Sequence, residues 1–171
     1  ADKDEIFTKD NSGTLETKSS GSNISLSNLG TVTFQDNVTS AGGISISDVT
    51  SLVIDTNTKS GNITLTASSG DITINSNVGS IAAADNNNGH DVIFVTSAGT
   101  GDITLASFDG DNASNGTDAD LTFNATGSSG LVSIGAISDT GTVTLTQSNG
   151  ATFTAAVAAG TGVTLTDTTG T

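Results

Sequence analysis

A chain of 171 residues with a net charge of −14 and no Arg, Cys, Trp or Tyr has no basic groove for nucleic acid, no pull toward an anionic membrane surface and no disulfide framework. It holds 21 Gly and six Phe but no Met or Pro, which suits a narrow interior filled by Ile, Val, Leu, Ala and an occasional Phe. Abundant Thr, Asn, Ser and Asp favour strands and turns over helices, and no run approaches the ~20 apolar residues of a membrane-spanning helix.

Residues 1–21 stand apart, dense in charge and without the repeat that follows. Ile6-Phe7-Thr8 and Thr14-Leu15-Glu16 read as short strands, and the segment is expected to cap the body or to act as an intersubunit arm. It carries Lys3, Lys9 and Lys18; Lys59 is the fourth Lys, and beyond it lie ten acidic residues with no Lys or Arg. The start Ala1-Asp2-Lys3-Asp4-Glu5 suits a mature end left after cleavage at a small residue. With no oxidisable Cys, Met or Trp, it points to a secreted, extracellular or cell-surface protein.

From Ser22 onward, short strands recur at 24–26, 32–34, 44–46, 52–54, 63–65, 72–74, 81–83, 92–94, 103–105, 121–123, 132–134, 143–145, 153–155 and 163–165. In Ile63-Thr64-Leu65-Thr66 and Ile72-Thr73-Ile74-Asn75 the alternation sets the apolar residues on one face and Thr or Asn on the other. The gaps are mostly longer than two-residue hairpin turns and contain Gly, Asn, Asp and Ser, which suits coils better than a meander. Every second strand from Ile63 gives steps of 18, 22, 18, 22 and 20 residues, a period of about twenty that marks a repeat architecture. The expected fold is therefore an all-β parallel solenoid over residues 22–171, with rungs of about 20 residues. One inward ladder would hold Ile63, Ile81, Ile103, Leu121, Val143 and Val163. A β-sandwich is the alternative.

The units Gly61-Asn62-Ile63-Thr64-Leu65-Thr66, Gly70-Asp71-Ile72-Thr73-Ile74-Asn75 and Gly101-Asp102-Ile103-Thr104-Leu105-Ala106 resemble the repeats of filamentous haemagglutinin-type adhesins. Looser copies lie at 141–146 and 162–166, so the resemblance covers residues 60–171 well and 22–59 loosely. It implies a right-handed parallel β-helix of the kind built into large bacterial surface proteins.

Chemistry has few footholds. Asp109, Asp111, Asp118 and Asp120 in the acidic insert 106–120 offer hard oxygen ligands of the type Ca²⁺ takes, although the EF-hand spacing fails at Ala113 and no Glu closes the loop. No other cofactor is expected. His90, beside Asp91, is the only histidine and lacks the further partners a catalytic base needs. Without Arg to hold uronates or Trp and Tyr to stack on sugars, no enzyme is expected. Pairs such as Thr64/Thr66 and Thr144/Thr146 raise ice binding, but Ala82/Ala84, Thr104/Ala106 and Thr122/Asn124 interrupt the expected hydroxyl ladder. Sequons begin at Asn23, Asn37, Asn62, Asn112, Asn115 and Asn124 and would be accessible to N-glycosylation.

An uncovered strand edge invites pairing with another chain. Val163 and Leu165 on the last strand, with Ile6 and Phe7 near the start, are the expected polymerisation surfaces, and the expected partner is another copy stacked head to tail. Ile93, Val95, Ala82, Ala84, Ala156 and Ala158 are outward apolar positions that could support lateral contacts; the alternative is ordinary scattered exposure. The reading is a structural subunit of a surface fibre, or a stretch of an adhesin stalk. The alternative is a glycan- or Ca²⁺-binding adhesion module that uses the insert.

Overall fold

Runs of alternating apolar and hydroxylated residues set the strands. In Ile63–Ala67 the first, third and fifth residues are buried and the two Thr between them half-exposed, as a half-buried strand requires. The computed structural model describes residues 7–9, 15–17, 22–59, 61–75, 77–84, 90–97, 99–110, 118–126 and 129–169. Its strands in chain order are β1 (Phe7–Lys9), β2 (Leu15–Thr17), β3 (Ile24–Phe34), β4 (Val38–Ser40) and β5 (Ile44–Ile54). After one helical turn, α1 (Thr56–Lys59), come β6 (Ile63–Ala67), β7 (Ile72–Ile74), β8 (Ile81–Ala83), β9 (Val92–Thr96) and β10 (Ile103–Asp109). The chain closes with β11 (Leu121–Ala125), β12 (Leu131–Ser148), β13 (Gly150–Phe153) and β14 (Val157–Thr168).

These strands form three parallel ladders that the chain visits in rotation. The first stacks Ile24, Ile44, Ile72, Ile103, Val132 and Ala151 in consecutive register. On the second, Val32 pairs with Leu52 and Leu52 with Ile81; further along, Phe108 pairs with Ile137 and Ile137 with Val157. The third runs Ile63, Val92, Leu121, Val143, Val163. β3 and β5 each turn from the first ladder into the second, and β12 passes through all three. At the N-terminal end of the third ladder β2 pairs parallel with β4, and β1 reverses to pair antiparallel with β2.

Local chemistry fixes the corners. Asn28 and Asp48 sit at equivalent bends with φ of 57° and 50°, a left-handed conformation that a short polar side chain tolerates better than a branched one. Where the third ladder returns to the first, glycine is needed for close approach: a Cβ on Gly130 would lie 2.7 Å from the Gly101 carbonyl oxygen. The buried Thr96 hydroxyl donates to that same Gly101 carbonyl at 2.8 Å.

Asp and Asn then staple one circuit to the next. Oδ1 of Asn23 accepts the Gly43 N–H (2.8 Å), Asp71 that of Asp102 (2.9 Å) and Asp102 that of Leu131 (2.9 Å). At the corner before the third ladder, Asn62 accepts from Asp91 (2.9 Å) and Asp120 from Thr142 (2.6 Å).

The parallel ladders replace the sandwich alternative, which needs antiparallel sheets. The expected single inward ladder does not form. Ile81 stands on Leu52 in the second ladder and Ile103 on Ile72 in the first; Ile63, Leu121, Val143 and Val163 share the third as expected, with Val92 between Ile63 and Leu121. The reason is a third side in each circuit. Equivalent corner residues lie 20 apart between Asn23 and Gly43 but 31 between Asp71 and Asp102 and 29 between Asp102 and Leu131, so a twenty-residue step fails through the middle.

Between the ladders lies an aliphatic interior, with Ile44, Ile46, Ile72, Ile74, Leu65 and Leu121 at 1% exposure or less. Phe34, Phe94, Phe108 and Phe123 join it, and the rings of Phe94 and Phe123, register neighbours on the third ladder, stack with centroids 5.5 Å apart, an arrangement that adds to plain burial.

Candidate functional site

The most distinctive surface is the edge formed by β13 and β14. Their inward-facing residues continue the interior columns, yet Phe153, Val163 and Leu165 are 38%, 46% and 53% exposed. One circuit earlier, the positions in register with them, Ile134, Val143 and Leu145, are fully buried. The local sequences match as well: Val143-Thr144-Leu145-Thr146 on the covered strand and Val163-Thr164-Leu165-Thr166 on the uncovered one. An edge of this kind presents backbone donors and acceptors beside an apolar strip, which is a template for a further strand.

Of the expected polymerisation residues, Val163 and Leu165 lie on this edge. Phe7 lies on β1, at the opposite end of the third ladder, with its backbone paired to Thr17. Ile6 falls outside the described residues. Ile93 and Val95 face outward and half-buried on β9, with Ala82 and Ala84 half-buried and Ala156 and Ala158 exposed.

The acidic insert is only partly described. Asp111, Asn112 and Asn115 lie outside the described residues. Asp109 is exposed at the end of β10, and Asp118 and Asp120 are half-buried ahead of β11. Asp120 is already engaged by the Thr142 N–H. Among the described residues no three acidic or His side chains come together to hold a metal. His90 is half-buried ahead of β9, and the carboxylate of its neighbour Asp91 accepts from Asn62 Nδ2 at 2.8 Å.

The sequons differ in how their amides are used. Asn62 is bonded through both side-chain atoms to Asp91, and Asn124 has its Oδ1 buried. Asn23 is exposed, with its Oδ1 turned to the Gly43 N–H. Asn37 is half-buried, and its Oδ1 accepts both the Thr64 N–H, at 2.9 Å, and Lys59 Nζ.

Two arrangements escape a reading of the sequence. The true register places Ser25, Ser45, Thr73, Thr104, Ser133 and Thr152 in one unbroken outward file on the first ladder, where an interrupted hydroxyl ladder was expected. Asp71 flanks its Ser45–Thr73 part, across a shallow groove lined also by Asn23, Gly43 and Gly70. The second is a cluster joining the first two circuits. Lys59 Nζ lies 3.3 Å from Asp36 Oδ1 and against Asn37 Oδ1, while the Asn37 N–H donates to Asp36 Oδ1 at 2.8 Å. The available signal was that Lys59 is the one Lys beyond residue 18; its partners lie more than twenty positions back, and only the register brings them together.

No helix among the described residues is long and apolar enough to cross a membrane. Comparison with known proteins finds no match to a family model, to a curated protein or to a solved structure.

Proposed function

We propose that this chain is a load-bearing segment of an extracellular fibre or adhesin stalk, a right-handed parallel solenoid whose β13–β14 edge receives a further coil of the same kind. The observation that carries this reading is the contrast between Val163 and Leu165, about half exposed, and Val143 and Leu145, fully buried in the same local sequence. A side chain selected only for solubility at that edge would be polar or charged, as protected edges are. In a stacked-repeat protein each unit leans on its neighbours, so the stability of the whole grows with the number of stacked units. Length and stiffness are then the function. The coil that covers the edge comes from another copy of the chain or from further repeats.

Negative-stain electron microscopy with size-exclusion chromatography tests stacking between copies. Filaments or longer rods in the native chain, abolished by Leu165→Lys, support it. Filaments that persist unchanged in Leu165→Lys would remove the edge from the assembly. A fully dispersed native chain whose thermal stability does not rise when a copy of residues 150–168 is appended would remove the reading altogether. Calcium titration separates this role from that of an adhesion module, because a bound ion stabilises in proportion to occupancy.

A further inference from the structure

Three groups that can react with one another meet where the second circuit crosses the first. Asp36 and Asn37 occupy the corner between β3 and β4, and α1 folds Lys59 back onto them. The corner is held from both sides: Gln35 Nε2 donates to Asp55 Oδ2 at 3.1 Å, and Val38, next to Asn37, is buried. Lys59 and Asp36 side chains are 21% and 28% exposed. The amine is thus confined beside one carboxamide and one carboxylate instead of ranging through water.

The orientation of the carboxamide is set by two donors. Oδ1 of Asn37 accepts the Thr64 backbone N–H at 2.9 Å and touches Lys59 Nζ. A backbone N–H aimed at a carbonyl oxygen stabilises the negative charge that builds there when the carbon is attacked. A carboxylate in contact with the amine can take its proton and deliver it to the leaving group. Holding amine and carboxamide together converts a slow bimolecular reaction into an intramolecular one.

We propose that Lys59 and Asn37 form an intramolecular isopeptide bond, with Asp36 as the proton carrier and the Thr64 N–H as the oxyanion donor. Asp36 removes a proton from the Lys59 ammonium, and the Nζ lone pair attacks Cγ of Asn37. A bond forms between Nζ and Cγ, and the charge gathers on Oδ1 against the Thr64 N–H. As that intermediate collapses, the Cγ–Nδ2 bond breaks, and Asp36 hands its proton to Nδ2. Ammonia departs and takes the surplus proton of the adduct's Nζ, leaving as ammonium while the new amide keeps one N–H. One ammonium and one carboxamide are consumed, and one secondary amide and one ammonium ion are produced. The step needs no oxidant, cofactor or water. The product closes a covalent loop between positions 22 residues apart and welds the first circuit to the second.

The sequence supplies a clean readout, because the chain has no Arg and its only Lys beyond residue 18 is Lys59. Intact-mass spectrometry of the natively purified full chain is expected to show the loss of one ammonia. After denaturation, trypsin should leave residues 19–171 uncut, since the acylated Lys59 is no longer a cleavage site. Lys59→Arg and Asp36→Ala are each expected to restore the full mass and, for Lys59→Arg, cleavage after residue 59, with the far-ultraviolet circular dichroism of the native fold retained. The native chain at full mass and cut after Lys59 would overturn the proposal and leave an ion pair with a hydrogen bond. An ammonia loss that survives in Lys59→Arg would also overturn it, because succinimide formation at an Asn-Gly pair such as Asn149-Gly150 gives the same mass. A cross-link that persists in Asp36→Ala would overturn the role of Asp36 as proton carrier.

Discussion

Leu145 and Leu165 allow the uncovered edge to be tested within one molecule. Both occupy the inward position of a Val-Thr-Leu-Thr strand and stand in direct register, but Leu145 is fully buried and Leu165 is 53% exposed. Leu145→Ala removes a side chain packed between Phe123 and Leu165. Its neighbours are fixed by backbone ladders on both sides, so the space cannot collapse, and the expected loss is about 3 kcal/mol, within the range for buried Leu truncations. Leu165→Ala opens no closed cavity and forfeits only about half of the transfer free energy, about 1 kcal/mol. The measurement is urea unfolding of the dispersed chain followed by far-ultraviolet circular dichroism, since there is no Trp or Tyr to report by fluorescence. The gap of about 2 kcal/mol would appear as a lower midpoint for Leu145→Ala at similar slope. Equal losses in a demonstrably monomeric sample would mean that the edge is already covered, and the argument for a receiving surface would fall. In an assembled sample the gap should narrow, because a stacked coil buries Leu165 as β14 buries Leu145.

Substitutions at three further positions probe the corners. Gly135→Ala would place a Cβ 1.7 Å from the Ala106 carbonyl oxygen; the backbone must move, so we expect a loss of about 3 kcal/mol or failure to fold, read by thermal unfolding. Asp102→Ala leaves the Leu131 N–H without its acceptor and should lower stability by about 1 kcal/mol. Asp102→Asn keeps an oxygen in place, as Asn23 does, and should be neutral within about 0.5 kcal/mol; equal losses for the two would show that charge, not the staple, matters there. At Asn28, with φ of 57°, replacement by Val is expected to lower stability by about 1–2 kcal/mol, whereas Gly should be neutral or slightly stabilising. A Val variant as stable as the native chain in a melting experiment would rule out the left-handed bend.

The strands were legible because each carries its own alternation: Ile72-Thr73-Ile74 buries its two Ile without help from distant sequence. Parallel stacking could be inferred from the gap lengths. The register could not, and the reason is physical. Strand starts fall at 63, 72, 81, 92 and 103, intervals so uniform that nothing local says whether two or three of them complete a circuit. That choice rests on which corners close, and the closing contacts, such as Asp71 to the Asp102 N–H or Thr96 to Gly101, join residues of types common at every turn. Counting two strands per circuit shifted Ile81 and Ile103 onto the wrong column, and with them the outward hydroxyls, so that a continuous file on the first ladder looked broken. The same limit hid the Lys59 cluster. Asp36, Asn37 and Lys59 are ordinary polar residues in the chain, and they become a reactive set only because two corners of successive circuits are superposed. In a stacked fold, interior composition can be read one strand at a time. Any site that spans circuits depends on the register, and it is there that the mass measurement on Lys59 and Asn37 tests the register and the chemistry together.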